Sequence, residues 1–461
     1  MKQTFVQCFK QELFAFSRLA FARIPLRVRH SGFNQKQVLL LLLYLLLLQQ
    51  VACTASRAKE ERFLITKFGA IGDGTSLNTQ AIQTAIDQCA AKGGGVVVVP
   101  AGTFLTGAIF LKNGVSLHVE AEGVLKGTTN QDDYPQVQTR WEGEEKLFTS
   151  ALVNFENLSH VSLTGTGTID GSGVEWVEQF RQQREQQSSN PGTNNRRWFG
   201  RPRLISFQNC SHVRIADLNL RNQAVWGLHI LYSENVAIEN LTIRAAHNIP
   251  SSDGIDIDSS RNVRVSGCDI DVNDDCISIK SGKDEDGLRV NRPSEDILIE
   301  NTRFGYGHGG VAMGSETSGG IRNVEVRNCV AEADNWAPIR FKSQPSRGGV
   351  VENITFRNIE VRGTRKALEF NMAWRMVPPI KPPAEVLPVV RNVQLIGITG
   401  NARTVGDIRG LPESPIQGVT FKDCDIKAEK GLTLEHVVQL DTSGLKLQVQ
   451  QGPAIINRNA E

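Results

Sequence analysis

The sequence predicts an all-β protein, a single-stranded right-handed parallel β-helix with a capping helix at its N-terminal end. Nine segments repeat one pattern: alternating apolar residues follow an Asn, Asp, His or Gly, and a small or apolar residue comes six positions after the first. The copies are 160–163, 212–215, 235–238, 262–265, 296–299, 323–326, 353–356, 392–395 and 418–421. Successive copies start 23 to 39 residues apart, except for a 52-residue gap after the first. Short strands at this period predict stacked coils, because no single repeat can bury its own apolar face.

An amphipathic helix is expected over 78–92, directly before the first coil. Asn78 suits its N-cap, and the glycines at 93–95 end it. A helix in this place would cover the open end of the core, which would otherwise be an exposed sheet edge. We therefore expect one elongated domain over 62–456.

The first 55 residues differ from the rest and are interpreted as a leader segment. The leucine run 38–48 is too short to span a bilayer and suits the apolar part of a signal peptide. Cleavage after Ala52 or Ala55 is expected, and Cys53 offers a site for a lipid anchor. These features predict a secreted or periplasmic protein without a membrane span.

Charge and cysteine content limit the classes of partner. Without residues 1–55 the chain has 44 basic and 48 acidic residues, a net charge near −4, so the sequence does not predict nucleic-acid binding. Cys268, Cys329 and Cys424 occupy the same position in their repeats, which predicts that they fill the core. The cysteine spacing does not suggest a zinc site, and we expect no metal and no cofactor.

Two neighbouring coils carry most of the polar residues of interest. Segments 252–258 and 274–280 align residue for residue at an offset of 22, which places Asp253 level with Asp275. Side chains alternate along a strand and neighbouring rungs lie about 4.8 Å apart, so Asp253, Asp274 and Asp275 should crowd into one patch. At least one of these carboxyl groups should then have a raised pKa and hold a proton at neutral pH.

The adjacent coils extend this patch. The inward-pointing apolar residues of successive coils align in columns, and these columns fix the positions of the polar residues between them. They place His308 beside the acids and Arg340 and Lys342 one coil further. On the other side, they place Trp226 level with Asp253. A protonated acid beside ionised carboxylates suits glycosidic-bond hydrolysis. The two cations would bind the carboxylate of an acidic sugar, and the indole could support a sugar ring.

Each residue also has a structural interpretation. A single corner Asp more often caps a turn, and Asp258 would more often form an ion pair with Lys280 in the next coil. Asp256 could be solvated, His308 could serve a turn, and Trp226 could pack beneath a loop. The convergence of five polar groups favours the functional interpretation.

At these residues the sequence resembles glycoside hydrolase family 28, the polygalacturonases, and in particular its bacterial exo-acting branch. The family motifs N-T-D, G-D-D, G-H-G and R-I-K correspond in order to 251–253, 273–275, 307–309 and 340–342. The resemblance implies the pectin-lyase-like solenoid for essentially the whole chain after the leader. It also implies that Asp274 is the general acid and that Asp253 and Asp275 activate water, with inversion at the anomeric carbon.

The resemblance implies roles for the remaining site residues as well. His308 would keep the acid protonated, and Arg340 and Lys342 would hold a galacturonate carboxylate. Inversion requires a gap of about 6.5–9.5 Å between acid and base.

This chain departs from the family motifs at three positions. Ser251, which replaces the asparagine, and Asn273, which replaces a glycine, flank the acids and could alter substrate contacts, whereas Phe341 should only pack inward. The tyrosine that follows R-I-K in many fungal members has no counterpart, and Asn371 or Trp374 would fill its space.

The leading hypothesis is a secreted inverting hydrolase of α-1,4-galacturonosidic bonds in pectic polysaccharide or oligogalacturonides. Insertions at 176–203 and 374–388 could close one end of a cleft, which favours exo action. The alternatives are a rhamnogalacturonan or substituted-pectin hydrolase of the same family, a calcium-dependent pectate lyase, and a non-catalytic carbohydrate-binding spike.

Overall fold

The computed structural model describes residues 61–189, 200–375 and 381–458. The expected leader, with its leucine run and Cys53, lies outside the described residues. No helix within the described ranges is long and apolar enough to cross a membrane.

The elements before the site are short strands and one capping helix. The first seven strands, in chain order β1 to β7, are Arg62–Leu64, Asp73–Leu77, Gly95–Val99, Gly102–Thr106, Ile109–Phe110, Val115–Val119 and Gly123–Gly127. Helix α1 is Thr79–Ala91, between β2 and β3. Strands β8, Gln136–Trp141, and β9, Glu144–Thr149, form an antiparallel hairpin outside the main sheet.

The central coils contain the site. Strands β10 to β25 are Val153–Glu156, Ser159–Gly165, Thr168–Asp170, Ile205–Gln208, Ser211–Ala216, Asn219–Arg221, Leu228–Leu231, Glu234–Glu239, Thr242–Arg244, Ile255–Asp258, Arg261–Ser266, Asp269–Asp271, Asp275–Lys280, Ser294–Glu300, Arg303–Phe304 and Gly309–Met313. Helix α2, Gly173–Ser189, begins just before the first insertion and extends into it, and helix α3, Asp284–Val290, follows β22.

The last coils have longer strands that turn corners without a break. Strands β26 to β33 are Ile321–Ala331, Ile339–Lys342, Val350–Asn371, Val389–Arg409, Ile416–Lys422, Cys424–Glu435, Val437–Asp441 and Leu445–Asn457.

All strands except the hairpin belong to one sheet of 31 parallel strands, which winds into the predicted right-handed parallel β-helix. In the central coils each strand pairs with the strand three positions later, so β13, β16, β19, β22 and β25 form one continuous ladder, which β27 extends. The predicted register is confirmed along it: Leu228, Ile255, Ile277, Val311 and Ile339 are successive partners and are fully buried.

The repeated sequence pattern has a backbone cause. The first residue of all nine copies adopts a left-handed conformation, with φ between 52° and 64°. Asn, Asp and Gly tolerate this conformation best, which explains their recurrence at this position. The side chains also form a ladder along the outside, in which the Asn323 amide donates to Asp296 at 3.0 Å and the Asn353 amide donates to Asn323 at 3.2 Å.

The two ends of the solenoid differ. Helix α1 covers the N-terminal end with Ile82, Ala85, Ile86 and Cys89 buried against the core, which confirms the capping helix. Asn78 occupies the N-cap position, but its side chain accepts from the Ile71 amide at 2.6 Å instead of capping the helix. At the other end β33 pairs only with β31 among the described residues, so its outer edge is open.

The expected core cysteines, Cys268, Cys329 and Cys424, are buried as predicted.

Candidate active site

A pocket of about 350 Å³ lies at the corner where the chain enters the strands of the β19–β22–β25–β27 ladder. Its walls include all eight residues that the sequence singled out: Trp226, Ser251, Asp253, Asp274, Asp275, His308, Arg340 and Lys342. The stacking of coils therefore gathers these groups on one wall, as predicted.

The three acids form the floor of the pocket. Each offers a carboxylate oxygen within 4.8 Å of the others, so Asp253, Asp274 and Asp275 form a compact cluster. The side chain of Asp274 is the most accessible, at 26% exposed, whereas that of Asp275 is 1% exposed.

Two cations bind Asp275. Lys342 Nζ lies 2.5 Å from Asp275 Oδ2, and Arg340 Nη1 lies 3.4 Å from Oδ1. Arg340 also binds Glu369 through Nε at 2.8 Å, and its guanidinium carbon lies 4.7 Å from the ring centroid of Trp374. Arg340, one of the two cations expected to bind substrate, is thus held by Asp275, Glu369 and Trp374.

The pKa values of Asp253 and Asp274 are shifted in opposite directions. Burial first, and then the charge of Asp256, raises the pKa of Asp253 well above its ordinary value against the opposing effect of Lys280. Burial also acts to raise the pKa of Asp274, but the His308 hydrogen bond and the charge of Lys342 outweigh it and lower that pKa to about 2. The expectation that one carboxyl group of the three has a raised pKa is confirmed, and the group is Asp253.

The buried Lys280 has different ion-pair partners from the one that alignment of the repeats predicted. Lys280 was expected to pair with Asp258, but its ammonium lies 3.0 Å from Asp256, 3.6 Å from Asp253 and 3.8 Å from Glu316. Asp256 is fully buried, so it is not solvated. Asp258 instead binds Arg140 at 2.7 Å, because a guanidinium from the hairpin reaches into this coil.

Trp226 differs from the expected sugar platform. The Lys280 ammonium lies 3.7 Å from its ring centroid, and the Trp141 ring packs against it at 4.6 Å. Only 3% of Trp226 is exposed, so the packing interpretation describes it better than a ring-stacking role. Trp336 and Trp374, both half-buried, are the more accessible aromatic walls.

The departures from the family motifs have visible consequences. The Asn273 amide donates to the Ile249 carbonyl at 3.0 Å, so it braces the adjacent turn. Ser251 lines the pocket in a left-handed conformation, with φ of 55°. Phe341 is buried and lies 4.1 Å from Phe370 between ring centroids, which confirms the inward packing. Trp374, not Asn371, lines the pocket in the space considered for the missing tyrosine.

The hairpin is the wall that the sequence did not reveal. Its turn places Glu142 in the pocket lining, and the Gly143 carbonyl accepts from the Lys283 amide at 2.9 Å. Among the described residues, segment 176–203 contributes nothing to the lining, whereas 374–388 contributes Trp374. The hairpin turn and segment 374–388 thus each contribute one residue to the lining, Glu142 and Trp374.

Most of the chain matches one known protein family. Residues 89–442 match the model of glycosyl hydrolases family 28. The chain belongs to glycosyl hydrolases family 28. It is therefore a glycoside hydrolase by family.

Individual family 28 members are similar over most of the chain. A probable polygalacturonase of Vitis vinifera is 29% identical over 82% of this chain and 75% of its own length. An exo-poly-α-D-galacturonosidase of Dickeya chrysanthemi is 31% identical over 68% of this chain, and the match spans 57% of that relative. The structure of an exopolygalacturonase from Thermotoga maritima is 30% identical with a TM-score of 0.71, covering 83% of this chain and 92% of that one.

Proposed function

We propose that this protein is an exo-acting hydrolase that cleaves α-1,4-galacturonosidic bonds at the ends of pectic galacturonan and inverts the anomeric carbon. The observation that carries the proposal is the placement of three clustered carboxylates beside Arg340 and Lys342 in one pocket. The names of the Dickeya and Thermotoga relatives support the same activity.

Asp274 is assigned the role of general acid. It is the most exposed of the three acids, so it can reach a glycosidic oxygen in the pocket. Its low pKa in the free protein depends partly on Lys342. A galacturonate carboxylate that binds Lys342 would offset this charge and exclude water, and both effects raise the pKa of Asp274.

The other two acids have different proposed roles: Asp275 activates the attacking water, and Asp253 resupplies Asp274 with a proton. Asp275, which is bound by Arg340 and Lys342, is assigned as the base that accepts a proton from water. The raised pKa of Asp253 favours its protonated form in the free protein, and its distance from Asp274 suits proton transfer through one bridging water. His308, with Nδ1 3.4 Å from Asp274, orients the acid and tunes its charge.

The exo assignment depends on the hairpin. Arg140 is fully buried and binds Asp258 and Ser259, both at 2.7 Å, which fixes β8 to the solenoid. On the far side of the turn, Arg289 binds Glu145 at 2.6 Å. A wall anchored at both strands would stop a polymer from passing beyond the acids at this end.

The assay that tests the function uses polygalacturonate and rhamnogalacturonan as parallel substrates. Release of monomer or dimer alone from polygalacturonate supports exo action, whereas a mixed ladder of products contradicts it. Proton NMR of the first product distinguishes inversion from retention.

The remaining alternatives give different products. A rhamnogalacturonan hydrolase would act on the second substrate in preference to the first. A binding spike would retain the polysaccharide without releasing product. A secreted or periplasmic location suits a polymeric pectic substrate and is tested by fractionating cells that express the full chain.

A further inference from the structure

One column of corner residues continues from the pocket toward the C-terminal end of the solenoid. On successive coils it holds Asp274, His308, Trp336, Arg365 and Arg403. Backbone contacts fix this alignment: the His308 amide donates to the Asp274 carbonyl at 3.0 Å, and the Lys366 amide donates to the Trp336 carbonyl at 2.8 Å. The acid, the imidazole, the indole and two guanidinium groups therefore stand in one row.

Trp336 and Arg365 form a pair at the edge of the pocket. Trp336 lines the pocket with Arg340 and Lys342 and is half-buried. The guanidinium carbon of Arg365 lies 5.1 Å from the indole centroid, within the range of a cation–π contact. The pairing positions the guanidinium one coil beyond Arg340.

The charge of Arg365 is available, unlike that of its neighbours. In the described part of the chain, no carboxylate lies within ion-pair distance of Arg365, which is exposed. Arg340 is bound to Glu369 at 2.8 Å. Lys366 is bound to Glu369 and to Asp407, at 2.6 Å in both cases. An exposed guanidinium stacked on an aromatic ring is well suited to bind a carboxylate with two hydrogen bonds.

We propose that Trp336 and Arg365 form a further subsite, which binds the uronate unit next along the chain from the one held by Arg340 and Lys342. The inference rests on the proposed function, since it assumes a galacturonan that lies along the coils. Rungs are about 4.8 Å apart, so a polymer lying along the column would meet Arg365 after it leaves the two pocket cations. The indole would contact the sugar ring, and the guanidinium would bind its carboxylate.

Chain-length dependence tests the subsite. Digalacturonate fills only the positions on either side of the cleaved bond, whereas tetragalacturonate extends past them to Arg365. The KM for each is measured for the wild type, Arg365→Ala, Arg365→Lys and Trp336→Ala. In Arg365→Ala we expect the ratio of the tetramer KM to the dimer KM to rise about tenfold, the value of one charged hydrogen-bonded contact.

Matched controls separate this effect from a general loss of charge. Arg362→Ala removes an exposed guanidinium that is bound to Glu360 and Glu332, and it should leave the ratio unchanged. Arg365→Lys should recover part of the tetramer affinity, and Trp336→Ala should raise the same ratio as Arg365→Ala.

The outcomes separate the two proposals. An unchanged ratio in Arg365→Ala, or equal KM increases for dimer and tetramer, overturns the subsite while the hydrolase stands. A wild-type protein that cleaves neither substrate overturns the proposed function itself.

Discussion

Lys342 Nζ lies 2.5 Å from Asp275 Oδ2, so the cation expected to bind substrate is already bound to one of the three clustered carboxyl groups. A substrate carboxylate must share this ammonium with Asp275. Binding and the charge state of the acid cluster are therefore coupled through one side chain.

Lys342→Met should raise the KM for oligogalacturonides about tenfold to hundredfold, because it removes a charged contact to the sugar. It should also lower kcat, since Asp275 loses one of its two cations. Steady-state kinetics on digalacturonate measure both effects. Lys92→Met, which breaks a surface ion pair with Glu61, is the control and should change neither. A normal KM in Lys342→Met would contradict the role of this lysine.

Asp274→Asn should lower kcat by about 10²–10⁴-fold, because the general acid is lost while the shape of the pocket is kept. Calorimetric titration with tetragalacturonate should show largely retained binding. Asp269→Asn removes a carboxylate that is bound to Arg244 and Arg303 on the outer wall, and it should retain activity. Unchanged turnover in Asp274→Asn would favour the binding-spike alternative.

Asp256→Asn should shift the alkaline limb of the kcat/KM profile to lower pH. The charge of Asp256 helps to raise the pKa of Asp253. Removing it stabilises the Asp253 carboxylate and lowers that pKa, so the cluster loses its proton at a lower pH. We expect a shift of about one pH unit, a typical effect of one close charge. An alkaline limb that stays at the same pH, or moves to higher pH, would contradict the proposed role of Asp253 as the source of the proton.

A chelator should leave activity unchanged, and the products should lack the ultraviolet absorbance of an unsaturated sugar. The cluster of Asp253, Asp274 and Asp275 could hold a cation by geometry. However, the raised pKa of Asp253 disfavours its ionised form and Asp275 is already bound by two cations, whereas a calcium site needs ionised oxygen ligands. Chelator-sensitive activity with that absorbance would identify a lyase.

Asn323→Ala should lower the free energy of unfolding by about 1–2 kcal/mol, because alanine disfavours the left-handed backbone at this position. Asn323→Gly should cost less, since it keeps the backbone conformation and loses only the amide ladder contacts. Denaturant unfolding of both variants measures the difference. Equal losses would show that the ladder, not the backbone, stabilises the coil.

The ladder of coils was predictable because the same column of residues recurs at each turn. Ile255 and Ile277 fixed the register, and with it the positions of Asp253, Asp275 and Arg340. Local repetition determines which side of the strand a residue occupies, so alignment of the copies was sufficient to assemble the acids and cations.

The partners of the buried charges were not predictable in the same way. Arg140 lies 118 residues before Asp258 in a hairpin that does not share the repeat, so alignment could not bring them together. Lys280 illustrates the other limit: its backbone is level with Asp258, as predicted, but its flexible side chain reaches Asp256 and Glu316. Register fixes Cα positions, whereas ion pairing depends on side-chain conformation and on loops from other coils.

The open edge of β33 offers a place to lengthen the protein. A designed extra turn fused after 457 could hydrogen-bond to β33 in the same way that β33 pairs with β31, and it would leave α1 and the acid cluster untouched. Such an extension would carry additional rows of outward side chains in register with the existing ones. The solenoid could thus serve as a scaffold to which sugar-binding side chains are added at the fixed spacing of the coils.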